Sequence, residues 1–148
     1  MNLNNKLIIT MLSATLLIAT NNLTANEKAS DTAPLKEVMQ QLLKDTKILT
    51  EAIIAEDYQL IAQSADHIAN HQKAEKETRM KLAKAFGPEM LKFKGFDMKV
   101  HNSATAINKA TETKDMQSIL SNYSILIEGC QSCHNGFKDR VVTLLSTQ

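Results

Sequence analysis

Residues 116–141 read MQSILSNYSILIEGCQSCHNGFKDRV. Within this stretch Met116, Ile119, Leu120, Tyr123, Ile127, Cys130, Cys133, His134, Phe137 and Val141 recur mostly at spacings of three and four. That period is helical, because residues i, i+3 and i+4 share one face of an α-helix. The stretch reads as a long amphipathic helix beginning near Lys114, and both cysteines of the chain lie in its apolar stripe.

Three more stripes precede it. Leu35, Val38, Met39, Leu42, Leu43, Leu49 and Ile53 mark a helix over about 34–55, with Pro34 in its opening turn and Asp31 or Thr32 as its cap. After Glu56-Asp57 a second stripe runs through Tyr58, Ile61, Ala62, Ala65, Ile68 and Ala69. A third, over about 96–113, contains Val100, Ala104, Ile107 and Ala110. The charged run from Gln72 to Lys84 either extends the second helix or forms a separate turn before Gly87-Pro88 breaks the pattern. Two Pro and four Gly in 148 residues suit long helices better than a turn-rich β fold. Four amphipathic helices with mostly short connections imply an all-α fold, an antiparallel up-down-up-down four-helix bundle.

Residues 1–25 carry Lys6, an apolar run from Leu7 to Ala19 and a polar end at Leu23-Thr24-Ala25, the layout of a signal peptide cleaved after Ala25. Thr10, Ser13 and Thr15 interrupt the run, which is short and weakly flanked for a membrane span. Removing 25 of 148 residues leaves one domain, residues 26–148. Lys6 is the only charged residue removed, so 16 basic side chains face 16 acidic ones. The mature chain is formally neutral, and no basic cluster is interleaved with aromatics. The expectation is a periplasmic protein with no nucleic-acid surface and no stable membrane insertion after cleavage.

Cys130-Gln131-Ser132-Cys133-His134 is a Cys-x-x-Cys-His run, the signature of covalent haem attachment. In such a site the two thiols form thioethers with the porphyrin vinyl groups, and the histidine gives a nitrogen to iron. A redox dithiol would more often open a helix after a strand. A structural disulfide leaves His134 unexplained. Zinc would need a fourth ligand from His67, His71 or His101. Export agrees with haem, because c-type haem is attached after translocation.

In an antiparallel bundle the start of the first helix lies beside the end of the last, which makes Met39 a candidate distal ligand opposite His134. Met98, Met90, His101 and His71 are rivals. Met116 lies 18 residues before His134 on the same helix, roughly 27 Å away along its axis. His67 and His71, spaced i, i+4, lack a supporting carboxylate motif and read as solvated side chains. Lys92, Lys94 and Lys99 read as a mixed solvated loop that could also offer a docking patch, and Phe93 and Phe96 as cover for the bundle end.

With these residues the chain resembles the cytochrome c prime family, four-helix bundles with Cys-x-x-Cys-His near the end of the last helix. The likeness covers essentially all of the mature chain. Phe137 and Lys138 match the aromatic and basic residues that tend to follow the family's motif. The run from Val38 to Leu49 also resembles the first helix of the soluble four-helix b-type cytochrome, where a methionine at the matching position ligates iron. The resemblance implies one covalent haem c with His134 proximal and Met39 distal, Lys138 near the haem, and periplasmic redox proteins as partners. It implies an electron carrier rather than an enzyme. Family members with a small or aliphatic distal residue are five-coordinate and bind nitric oxide or carbon monoxide, which is the alternative function. Those with methionine are six-coordinate and low-spin, and Met–His ligation raises the reduction potential. Many relatives carry an arginine one turn before the distal position, where this chain has Leu35 followed by Lys36. Relatives often dimerise through their first two helices; the neutral charge and stripe width here leave a homodimer open.

Overall fold

In the computed structural model, which describes residues 31–146, the four apolar stripes form the four long elements of an up-down-up-down bundle. The expected export segment, residues 1–25, lies outside the described residues. Helix α1 spans Leu35–Ile54 and α2 spans Tyr58–Ala69. A shorter helix, α3, spans Lys76–Phe86 and leads through a 3-10 turn at Gly87–Glu89 into α4, Met90–Thr111. The last helix, α5, spans Met116–Ser146. The run from Gln72 to Lys84 therefore leaves the second helix and builds a separate one. None of these helices is long and apolar enough to cross a membrane.

Two expectations about helix starts are corrected. Neither Asp31 nor Thr32 caps α1. Thr32–Ala33 forms a two-residue strand, β1, parallel to β2 at Lys73–Ala74, and Pro34 takes the cap position without a side-chain hydrogen bond. The third long helix begins at Met90 rather than after Gly95, so Gly95 lies inside α4. A helical glycine costs about 1 kcal/mol relative to alanine. Here Met90, Phe93 and Phe96 pack into the interior on both sides of it, and burying large apolar side chains contributes more than that each.

The α1–α2 and α4–α5 turns share one construction. In each connection a residue with left-handed backbone, Glu56 or Lys114, both at φ 54, stands directly before an aspartate that caps the next helix. Asp57 Oδ1 accepts from the Leu60 amide at 3.0 Å, and Asp115 Oδ1 accepts from the Ser118 amide at 3.0 Å. Such caps satisfy amides that a helix start leaves unpaired.

Side chains set the mutual register of the helices. On α4, Asn108 Nδ2 donates to the Ala62 carbonyl of α2 at 3.0 Å, and His101 Nδ1 donates to the Ala69 carbonyl at 2.7 Å. Lys99 of α4 pairs with Glu128 of α5 at 3.0 Å. Buried Gly129 lets these two helices approach, since a Cβ there would sit 3.0 Å from Val100 Cγ2. The chain packs closely as α1 on α2, α2 on α4 and α4 on α5. The α1–α5 side is looser, and Thr50 Oγ1 and the Tyr123 hydroxyl bridge it at 2.7 Å.

The interior is divided. An aliphatic core, with Leu49, Ile61, Ile68, Ile107, Ile119 and Leu126 fully buried, fills the half of the bundle beside the two turns. A smaller aromatic core of Leu82, Phe86 and Phe137, flanked by Phe93 and Phe96, fills the other half. All four phenylalanines of the chain belong to it, and Arg140 lies over the Phe86 and Phe137 rings while pairing with Glu89 at 2.8 Å.

Two substitutions test this packing. Gly129→Leu should lower stability by about 1–3 kcal/mol through overpacking against Val100, measured by thermal or urea unfolding. Glu56→Gly should raise it by roughly 0.5 kcal/mol, because glycine adopts the left-handed backbone without a Cβ clash.

Candidate haem-attachment site

The Cys-x-x-Cys-His run lies in the second half of α5, at the junction of the two cores. Cys130 packs against the aliphatic cluster and Cys133 against the aromatic one. Both are half-buried free thiols. Burial pushes the Cys133 thiol up to about 11, with the Asp97 carboxylate and the Cys130 thiol adding to the rise. Burial also raises the Cys130 thiol. They lie in the middle of a helix, far from an N-terminus that would stabilise a thiolate. This is the reverse of a redox dithiol's surroundings. One residue on, the His134 imidazole is exposed. Among the described residues, no three His, Cys, Asp or Glu side chains converge to hold a metal ion, so the geometry does not assemble the tetrahedral zinc set.

The Thr50–Tyr123 bond locates the face opposite. Met39 lies eleven residues before Thr50 on α1, and His134 lies eleven residues after Tyr123 on α5. Eleven residues are close to three turns, a rise of about 16 Å. Each side chain therefore lies on nearly the same face as its reference residue. Because α1 and α5 run in opposite directions, the two displacements bring Met39 and His134 to the same level of the looser α1–α5 seam. Met39 is 41% exposed there, although Leu35 and Leu42 on its flanks are partly buried. By the same count Cys130 is level with exposed Leu43.

The rival ligands are disposed differently. Met98 precedes Val100, which packs on Gly129, by two residues, or roughly 200° around α4, and it is 50% exposed on the outer side. Met90 packs into the aromatic core. His101 is bound to α2 through Nδ1. His71 follows the end of α2, so it does not share a helix face with His67. Nor is it a solvated side chain: Nδ1 donates to the Gln72 carbonyl at 2.8 Å and Nε2 is 3.3 Å from Asp97 Oδ1. His67 is exposed and lies 3.8 Å from the buried Asp45 carboxylate. Lys138, one turn past His134, is exposed.

Asp97 had no signal in the sequence, since an isolated acid on an otherwise basic stretch has no pattern. Its importance is spatial, because it joins His71 to α4 and its charge reaches Cys133. Thr50 was equally hidden as a polar residue within an apolar stripe. The donor set fits a thioether-bound porphyrin: two half-buried thiols one helical turn apart, an adjacent exposed imidazole, and a thioether level with it across the seam. No family model, no curated protein and no solved structure matches this chain.

Two measurements follow from the titrating groups. In protein prepared without haem attachment, the thiols should react with iodoacetamide at pH 7.5 at least about tenfold more slowly than free cysteine, because the thiolate fraction falls with the raised pKa. The hydrogen bond to Asp97 holds His71 above its ordinary 6.5 against the opposing desolvation, and the Gln72 carbonyl adds to the rise. Its stabilising effect is thus fully present below pH 6.5 and is lost as the pH rises through the shifted value. Unfolding curves of the wild type should show this loss, and those of Asp97→Asn should be flatter over the same range.

Proposed function

We propose that the chain is a periplasmic mono-haem c-type cytochrome of the cytochrome c prime kind, carrying one electron at a time. The observation that supports this most directly is the seam, where a methionine and a histidine stand three turns from one bridging hydrogen bond, beside two cysteines at a break in the core. Cys130 and Cys133 would hold the porphyrin as thioethers, with His134 as proximal ligand and Met39 as distal ligand. When bound, the haem supplies a one-electron iron couple. The protein would contribute the placement of the ligands and a dry flank on one side. α1 and α5 would carry the distal and proximal ligands, and the phenylalanine cluster packs against Cys133 and would keep water from that side. Lys138 would sit near the proximal face. Periplasmic redox proteins are the partners this function requires.

The exposure of Met39 favours a second reading. A thioether that solvent reaches on a loose seam is one that a diatomic ligand can displace, so nitric oxide capture is compatible with the same residues.

A denaturing gel stained for haem should show haem migrating with the chain, and Cys130→Ser with Cys133→Ser should abolish the stain. The ferric protein should be low-spin, with a weak sulfur-to-iron charge-transfer band that disappears in Met39→Ala. Persistence of that band would exclude Met39. Rapid nitric oxide uptake by the wild type, at a rate that Met39→Ala does not increase, would favour gas binding over electron transfer.

A further inference from the structure

The neutral sum of charges hides a division along the bundle. Asp45 beside His67, and Lys99 beside Glu128, mark one level across the four long helices. The half holding the cysteines, residues 31–44, 68–99 and 129–146, carries twelve Lys and Arg against seven Asp and Glu. The half beside the turns, residues 45–67 and 100–128, carries three against eight. Leaving out the boundary pair Lys99–Glu128 changes each balance by one charge. The described chain is therefore an electric dipole whose positive end contains Cys130 and Cys133.

Most of the surplus comes from residues 68–99, with eight basic side chains against four acidic. On α3, Lys76, Met80 and Lys84 recur every four residues on one exposed face. On the neighbouring first half of α4, Leu91, Lys94 and Met98 do the same at spacings of three and four. Leu91 is 80% exposed, and Lys76, Lys84 and Lys94 make no ion pair among the described residues. Small apolar points ringed by unpaired lysines are the composition of a docking surface, in which the apolar points supply contact and the charges set orientation and encounter rate.

We propose that α3 and the first half of α4 dock an acidic protein, a redox partner whose carboxylates surround a small apolar centre. The dipole would turn this end toward such a partner during approach. The inference rests on the proposed haem site, which lies in the same half. Two features favour a protein over an anionic membrane. All four phenylalanines face inward and both tyrosines pack against the aliphatic core in the other half, leaving this surface no aromatic to seat among headgroups. Glu75, Glu77, Glu89 and Asp97 are interspersed with the lysines, which weakens attraction to a uniformly anionic bilayer more than to an acidic protein whose carboxylates can be set against individual lysines.

Gold electrodes coated with carboxylate-terminated or ammonium-terminated monolayers test the orientation on the haem-loaded protein. Electron exchange should be at least about tenfold faster on the carboxylate surface. The gain should vanish in Lys84→Glu/Lys94→Glu and persist in Lys47→Glu/Lys109→Glu, whose changes lie in the other half. Equal rates on both surfaces, or indifference to the first variant, would overturn the proposal. Adsorbed mass needs no haem, so loss of the carboxylate preference by that measure is separable from failure of the haem reading. Flotation with phosphatidylglycerol vesicles should not exceed that with phosphatidylcholine at the same ionic strength. Selective flotation abolished by Lys84→Glu/Lys94→Glu would reassign this surface to lipid and overturn the protein partner.

Discussion

The α1–α5 seam is bridged between side chains by one short hydrogen bond, Thr50 Oγ1 to the Tyr123 hydroxyl at 2.7 Å, and the candidate site takes its register from the helices that this bond joins. A neutral bond of this kind contributes about 1 kcal/mol, too little to hold two long helices alone. The aliphatic core beside it supplies the rest. Leu49 lies next to Thr50, and Ile119 and Leu126 flank Tyr123, all three fully buried. The polar contact selects among registers that the core would tolerate. A slip of one residue in α1 would turn Thr50 and Met39 together by about 100°, taking Met39 off the face that it presents toward His134.

The other half of the bundle is built on different physics. There the aromatic core draws on α3, α4 and α5, and α1 reaches it mainly through partly buried Leu35. Close α4–α5 packing at Gly129 brings those two helices together next to Cys130. The same approach leaves the opposite flank of α5 facing a seam with no comparable apolar filling. Met39 and Leu43 stay exposed on that seam, with two half-buried thiols on the facing helix, and on the proposed reading this is where the porphyrin would lie.

Much of this was legible from periodicity. Helical spacing identified the four long helices, and the Cys130-to-His134 run lies on the last of them, with both cysteines at the core's edge. The elements that were not legible depend on contacts distant in sequence. Gly95 looked like a boundary because its cost is local, whereas the aromatic packing that outweighs it comes from α3 and α5. Asp31 and Thr32 looked like caps because their side chains suit that role, but their backbone is engaged by the segment around Lys73, since Lys73 donates to the Asp31 carbonyl at 3.1 Å. His71 looked solvated because the acid that pairs with its Nε2, Asp97, is 26 residues later in the chain.

Net charge was the least informative quantity read from the chain, because it discards position. The fold sorts the signs: the segment between α2 and the middle of α4 is folded onto the cysteine end, while the acids of α1's second half and of both turns gather at the other. The two excesses of five charges lie along helices as long as α5, 31 residues or roughly 46 Å, so the ends are separated by several times the screening length of about 8 Å at physiological salt. A partner near one end therefore senses that end rather than the neutral whole. Composition gives no reason for the chain to attract an acidic partner, and topology says that one end of it should. The same long helices that set Met39 level with His134 also carry the acids away from them, so the alignment of the site and the separation of charge have one structural cause.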